Sequence, residues 1–404
     1  MPTVFEPQSS LTGTVRAMIE TQRAEGAFSA AQCLILQHGE VLVDLTTGVL
    51  ATYGNDGAQL DEHDRVNATP STMFDLASLT KTFSAYTLLS MVREGILDLD
   101  EPVGRTLAPW AEPGKRKATL RHLLTHTAGL PPSWYGWRTP LLATLRAGGP
   151  ERLTTSPIAS MKNELEEDLL STPLDSEPGQ RRRYSDVSFN TAMVLAERVT
   201  GRQWPELVRA YTLEPLGLDQ VTFHPDPKLT ACTEYAPELH RGMIQGDVHD
   251  ETSWAMGGEC ANAGLFATAR AVADFAETLR IGACEPASHL LWDDELARIV
   301  KRAVPFEENS LNGASLGLQI GATHWMGVHG GESRGHTGFT GTSFQIDRRR
   351  ALTIVLLTNR VHPSRSRNLV TALRPAVAEA AFAWVDQKDN TTRRGTGNGP
   401  WNHR

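Results

Sequence analysis

The stretch FDLASLTKTFSAYTLLSMVREG, residues 74–95, has the apolar spacing of an amphipathic helix closed by Gly95, and it places Ser78 and Lys81 three residues apart in the first turn. Side chains three apart on a helix share a face, with Cβ atoms about 5 to 6 Å apart and Cα–Cβ bonds leaning towards the N-terminus. Lys81 can therefore fold back onto the Ser78 hydroxyl. A helix N-terminus is a poor place for an ammonium. Unpaired N–H groups and the positive end of the macrodipole oppose it by roughly 0.3 to 1 kcal/mol, and Leu79 and Phe83 add desolvation. These effects favour the neutral amine. A lysine near its ordinary pKa of about 10.4 is a weak base at pH 7, so a downward shift is what base catalysis requires.

A serine with a lysine base in reach is an activated nucleophile. The competing role is structural, with Ser78 capping the helix and Lys81 reaching to solvent. Of the seven lysines, only Lys81 has a serine three residues before it. Two further segments add chemistry. In RRRYSDVSF (181–189), Tyr184 stands just before a helical pattern, where its phenol can share a proton network with Lys81. In RGHTGFTGTSF (334–344), Gly335, Gly338 and Gly341 surround His336 and Thr337. Glycines let a backbone approach a substrate closely, with an N–H free for an oxyanion.

At 404 residues the chain is long enough for two or three domains or one large two-part module. A formal charge of -8 with scattered basic residues gives no attraction to nucleic acid or anionic lipid. The start, MPTVFEPQSSLTGTVRAMIE, has neither a basic nor an apolar leader region, and no run approaches the roughly 20 apolar residues that span a bilayer. The expectation is a cytoplasmic protein. Cys33, Cys232, Cys260 and Cys284 are far apart and read as small buried hydrophobes, without a zinc cage or disulfide framework.

AAQCLILQHGEVLVDLTTG (30–48) is a β-hairpin pattern turning at His38-Gly39-Glu40. Helical patterns follow at 74–95, 118–132, 185–201 and 266–280, with Phe189, Met193, Ala196 and Val199 on one stripe of the third. Residues 131–160, with Trp134, Tyr135, Trp137 and several prolines, suit a long loop over a pocket. Strand texture returns in ASLGLQIGA, GTSFQID and ALTIVLLTN, and a last helix at 368–385 carries Pro375, which predicts a kink or break. From Gln387 the tail is too polar to order itself. Strands at both ends and helices between them predict an α+β fold: an antiparallel sheet assembled from both chain ends, with flanking helices and a cleft at an inserted helical region. The expected division is residues 1–76 and 310–386 as the α/β part of one discontinuous catalytic module, 77–309 as the mainly helical insertion, and 387–404 as a disordered tail.

At this point the sequence resembles the serine β-lactamase and penicillin-binding protein superfamily, in its class C β-lactamase branch with the family VIII esterases. The resemblance rests on an ordered set: SLTK at Ser78 to Lys81, LLTHTAGLP at 123–131, PGQRRRYSD at 178–186, HDETSWAMGGECANAGLFATA at 249–269, then GHTGFTGTSFQID and LLTNRVHP. It implies a β-lactamase/transpeptidase-like fold, Ser78 as nucleophile, and Lys81 and Tyr184 as proton-handling partners in acyl transfer. His336-Thr337-Gly338 falls where the family has Lys-Thr-Gly, and the N–H groups of Ser78 and Phe339 would hold the oxyanion. Two positions depart from the pattern. His336 replaces the lysine, and Asp186 stands where Tyr-x-Asn has asparagine, which removes a fixed cation and an amide donor and puts a repelling charge near any substrate carboxylate. The implied protein is a metal-free, cofactor-free serine hydrolase acting on a small ester or amide. It leans towards esterase, with β-lactamase, D-Ala-type peptidase or amidase, or a non-turnover penicillin-binding sensor as alternatives.

Three rival constellations remain. Gly331-Glu332-Ser333-Arg334-Gly335 is a literal G-x-S-x-G, with Asp347 and His362 as the only obvious partners, but a loop and strand follow it rather than the helix that motif needs. His122 and His126 have the i, i+4 spacing of metal ligands without an adjacent glutamate or a third ligand. His249-Asp250 reads as a loop-structuring pair rather than a ligand pair.

Overall fold

The computed structural model describes residues 10–147, 153, 155–282, 287, 291 and 298–395. The N-terminal hairpin forms as its sequence predicts. Strands Ala30–Gln37 and Glu40–Gly48 are joined by His38 and Gly39, both at positive φ (53° and 82°), the primed-turn conformation that matches strand twist. On its other edge Ala30–Gln37 pairs antiparallel with Leu352–Thr358, Ile35 opposite Ile354, so the two chain ends are zipped side by side. The sheet continues through Ser343–Asp347, Arg334–Thr337, Leu318–Ile320 and Gly313–Ser315, ending in Ile299–Val300. All eight strands are antiparallel, and the edge strand at 299–300 lies upstream of the boundary expected at 310.

Both faces of the sheet are covered, which is why its central strands read as continuous apolar runs. On one face Val15 and Ile19 of helix Leu11–Ala24, with Leu373, Val377 and Phe382 of helix Val370–Gly395, pack on Cys33, Ile35, Ile354 and Leu356. On the other, Leu34, Phe344, Val355 and Leu357 meet helix Thr80–Arg93, which follows the Ser78 turn, and helix Ala269–Ile281. Phe83 stacks on Phe275 with ring centroids 3.9 Å apart, and Phe344 meets Phe275 edge-on at 6.3 Å. This aromatic trio fixes the Ser78 helix against the sheet.

Several expectations are corrected. The helix after Ser78 is buried all round from Thr80 to Met91, not on one face. Its hydroxyl residues feed main-chain carbonyls instead of solvent: Thr82 donates to Leu79 O at 2.7 Å, Ser84 to Ala261 O at 2.9 Å and Thr87 to Phe83 O at 3.0 Å. Within the expected loop at 131–160 a helix forms at Arg138–Arg146. The indole N–H groups of Trp134 and Trp137 anchor the segment on Asp168 (2.7 Å) and Thr252 (3.1 Å). Val199, placed on the buried stripe of its helix, is exposed. The last helix runs through Pro375 without a break and continues past Gln387 to Gly395. Cys33, Cys232 and Cys260 are buried free thiols; Cys284 and residues 396–404 lie outside the described residues. Among the described residues no helix is long and apolar enough to cross a membrane.

Helix Lys162–Leu170 is tied to helix Asp186–Thr200 through two buried carboxyls. Glu166 hydrogen-bonds Glu197, Lys162 Nζ lies 2.9 Å from Glu197 and 3.6 Å from Glu166, and the Trp204 N–H donates to Glu197 at 2.7 Å. Burial and the neighbouring Glu197 charge push the Glu166 carboxyl up from 4.5 to about 7. The fold therefore binds that proton more tightly than the unfolded chain. This contribution to stability is complete below pH 4.5 and is lost as pH rises through 7. Thermal melts are expected to show a falling Tm across this window in the wild type and a flatter profile in Glu166→Gln.

Candidate active site

Ser78 sits in a single 3₁₀ turn, Ala77–Leu79, immediately before helix Thr80–Arg93. Ala77 has φ +47°, a left-handed conformation that costs a non-glycine residue roughly 1 kcal/mol. The strain is held by Asp75, whose Oδ1 accepts the Ala77 N–H at 2.7 Å while Oδ2 accepts the His249 N–H at 2.6 Å. The turn thus pushes the Ser78 side chain, half-buried, onto a cavity of about 570 Å³.

Lys81 has no exposed surface. Its Nζ donates to Ser78 Oγ at 3.0 Å and to the Asn262 carbonyl at 2.8 Å, and it lies 2.7 Å from Asp186 Oδ1. The meeting of Ser78 and Lys81 is as the spacing predicts, but the charge state is not. Burial opposes the ammonium, yet the Asp186 carboxylate and the Tyr184 phenol outweigh it, and the Lys81 pKa is raised, not lowered. The helix-end effects on Lys81 are local, whereas Asp186 arrives from the start of a helix more than 100 residues away.

The Tyr184 phenol hydrogen-bonds both Ser78 and Lys81, and burial raises its pKa against the pull of the Lys81 charge. Lys81 Nζ lies 5.0 Å from the centre of its ring. His126, weighed above only as a metal ligand, supports that ring at a centroid distance of 4.6 Å and accepts the Ser185 N–H through Nδ1 at 3.1 Å. Its own φ of +59° turns it there. His122 caps its helix through Thr119, so the two histidines serve different partners.

Opposite Ser78 lies strand Arg334–Thr337 and the glycine-rich turn after it. His336 is buried, its Nδ1–H donates to Thr337 O at 2.8 Å, and burial followed by the Lys81 charge pushes its pKa down to about 3. It is a neutral imidazole at every working pH and supplies no cation. Thr340 and Thr342 donate to Asp75 O (2.6 Å) and Leu76 O (3.0 Å), pulling the turn onto the Ser78 segment. The approach is so close that a Cβ on Gly338 would lie 2.4 Å from Leu76 O. Among the described residues neither the Ser78 nor the Phe339 N–H has an acceptor, and both residues line the cavity.

Three arginines that the sequence reading missed, Arg360, Arg365 and Arg374, also line the cavity. Arg365 is paired with Glu234 and Glu251. Among the described residues Arg360 and Arg374 hydrogen-bond only carbonyls, and Arg374 Nε is buried without a partner. Burial, then the Arg360 charge, pushes Arg374 down to about 9. The rivals do not assemble. Ser333 is wholly buried, 3.5 Å from an Asp347 already held by Arg350, while His362 bonds Thr52 and Thr233. His249 bonds Glu234, and Asp250 caps helix Glu251–Ala255, the loop-structuring roles expected.

An antiparallel sheet from both chain ends, with a Ser-x-x-Lys turn at its boundary with a helical insertion, is the β-lactamase/transpeptidase-like fold. Residues 15–379 match the family model described as Beta-lactamase, and the chain belongs to that family. It is 27% identical over 391 residues to a putative D-alanyl-D-alanine carboxypeptidase of Salmonella typhimurium, covering 89% of this chain and 86% of the relative. Among solved structures, EstCE1, described as a hydrolase with promiscuous acyltransferase activity, aligns with a TM-score of 0.68 at 21% identity, over 92% of this chain and 98% of its own. A class C beta lactamase aligns at 0.67 and 13% identity, over 93% and 99%.

Removing Lys81 leaves the Asp186 carboxylate and the Asn262 carbonyl without their donor. Lys81→Met is expected to destabilise the fold by roughly 3 kcal/mol in urea unfolding, and Lys81→Met with Asp186→Asn by clearly less than the sum of the single losses. Additive losses would show the two groups to be uncoupled.

Proposed function

We propose that the protein is a serine hydrolase that turns over small esters or amides through an acyl-enzyme on Ser78. The carrying observation is the convergence on the Ser78 hydroxyl of Lys81 Nζ at 3.0 Å and the Tyr184 phenol, on a cavity that Phe339 also lines, with the Ser78 and Phe339 N–H groups unused among the described residues. Ser78 Oγ attacks the carbonyl carbon, and the carbonyl π pair moves to the oxygen facing the Ser78 and Phe339 N–H groups. The hydroxyl proton passes through the Lys81–Tyr184 unit to the leaving alcohol or amine. Water repeats the sequence on the acyl-enzyme and releases the acid. Thr337 and Gly338 line the substrate on the strand side, and neutral His336 offers it hydrogen bonding without charge. The absence of a cation at His336 supports ester substrates, as does the likeness to EstCE1.

One observation favours a second reading. Arg360 and Arg374 face the cavity with no carboxylate partner among the described residues, so a peptide or amide with a free carboxylate would find a counter-ion there. The carboxypeptidase relative fits that reading.

Ser78→Ala is expected to lower kcat/KM for p-nitrophenyl butyrate by at least about 10³-fold, with folding retained by circular dichroism. Unchanged turnover in this variant would remove the nucleophile assignment. Steady-state kinetics on p-nitrophenyl esters of rising chain length, a chromogenic cephalosporin and a D-alanyl-D-alanine peptide rank the substrate classes. The expected order has short esters first. If the peptide leads and Arg374→Met selectively raises its KM, the carboxypeptidase reading replaces the esterase one.

A further inference from the structure

An aspartate lies where the family's pattern carries an uncharged asparagine, and it faces the catalytic lysine instead of the solvent. Four groups lie within reach of Lys81 Nζ: Ser78 Oγ, the Asn262 carbonyl, the Tyr184 phenol and, as the ion-pair partner at 2.7 Å, Asp186 Oδ1. As an ammonium beside that carboxylate, Nζ has no lone pair to offer Ser78, and its bond to Oγ is one in which the serine accepts. Asn262 is itself held, its N–H donating to the Asn190 side chain at 3.1 Å and its side-chain amide to Asp250 at 3.2 Å. The carbonyl cannot swing away to release a donor site. Asp186 is equally fixed, as the first residue of helix Asp186–Thr200 with its N–H donating to Pro132 O at 2.8 Å.

We propose that Asp186 is a positioning residue that sets the pH at which the nucleophile becomes active: its carboxylate, 2.7 Å from Nζ, holds Lys81 as an ammonium, so the Ser78 proton can leave only after the Lys81–Tyr184 unit has released one to solvent. The inference rests on the reading of Ser78 as nucleophile. The proton balance is closed. Hydroxide or buffer base removes one proton from the Lys81–Tyr184 unit, the vacated site accepts the Ser78 proton as the Oγ–C bond forms, and the same proton then goes to the leaving group.

The groups facing this unit come from four segments. Tyr184 and Arg182 precede the Asp186 helix, Asp250 lies before helix Glu251–Ala255, His126 follows helix Leu120–Leu124, and His336 lies on its strand. Burial holds His126 well below its usual value and His336 at about 3, so both stay neutral and neither moves the profile. Arg182 stays cationic beside Glu308. Asp186 and Asp250 are the two carboxyl groups among them, and only Asp186 touches Lys81; burial pushes the Asp186 carboxyl up and the Lys81 charge opposes that. Its charge also raises the Tyr184 phenol, so whichever of the two gives up the proton, Asp186 works in the same direction.

The test is the pH dependence of kcat/KM for p-nitrophenyl butyrate in wild type, Asp186→Asn and Asp186→Glu, with Ser78→Ala as the background. Activity in the wild type is expected to rise into the alkaline range. Asp186→Asn is expected to move the rising limb down by at least about one pH unit, and Asp186→Glu to return it towards the wild type. A limb that stays in place while the plateau falls, or one that moves up, overturns the proposal and leaves Asp186 a purely structural residue. If Asp186→Asn does not fold, lysine labelled with ¹³C at Cε in the wild type gives the second readout. A Lys81 resonance that does not titrate below about pH 9 supports the proposal, and one that titrates near neutrality overturns it. Labelling of Ser78 by a fluorophosphonate probe separates the two levels, since its absence in the wild type defeats the nucleophile reading itself.

Discussion

A fully buried lysine needs a counter-charge or it loses its proton, and the way Lys81 meets that requirement governs the architecture around it. Its ammonium is held by Asp186 at 2.7 Å and by the Asn262 carbonyl at 2.8 Å, and it donates to Ser78 Oγ at 3.0 Å. The three partners come from three separate parts of the chain. They can meet only if the helical insertion, the segment after helix Glu251–Ala255 and the Ser78 turn are all docked on one another. The sheet supplies the floor for that docking through the Phe83, Phe275 and Phe344 rings.

The turn bearing Ser78 is held open by a second constraint. Asp75 ties Ala77 to His249, and the threonines of the glycine-rich turn tie the strand side to Asp75 and Leu76. The left-handed Ala77 and the close-packed Gly338 are the places where backbone freedom is given up to bring Ser78 and the Phe339 N–H together. Strain of this kind persists only where the surroundings over-determine it, and here the side chains of Asp75, Thr340 and Thr342 do so.

The parts of the site that are local in sequence were readable. Ser78 and Lys81 lie on one helical face by spacing alone, and the His38-Gly39 hairpin is written in its turn residues. Tyr184, His336 and Phe339 needed the family resemblance, because nothing in spacing brings them to Ser78. What was misread shares one cause, which is contact across long separations. The charge of Lys81 depends on Asp186, the anchoring of residues 131–160 depends on Asp168 and Thr252, and the buried polar face of the Ser78 helix depends on carbonyls such as that of Ala261. Asp75 and Arg374 were overlooked and the role of His126 was missed for the same reason, since those roles appear only once Ala77, Tyr184 and Gly338 are placed in space.

The most direct measurement is a crystal structure of the protein after reaction with a small alkyl fluorophosphonate. The phosphorus is expected on Ser78 Oγ, with its phosphoryl oxygen within hydrogen-bond reach of the Ser78 and Phe339 N–H groups and Lys81 still against Asp186. An unmodified Ser78, or an adduct whose oxygen points into bulk water away from both N–H groups, would contradict the assignment of this cavity as an acyl-transfer site.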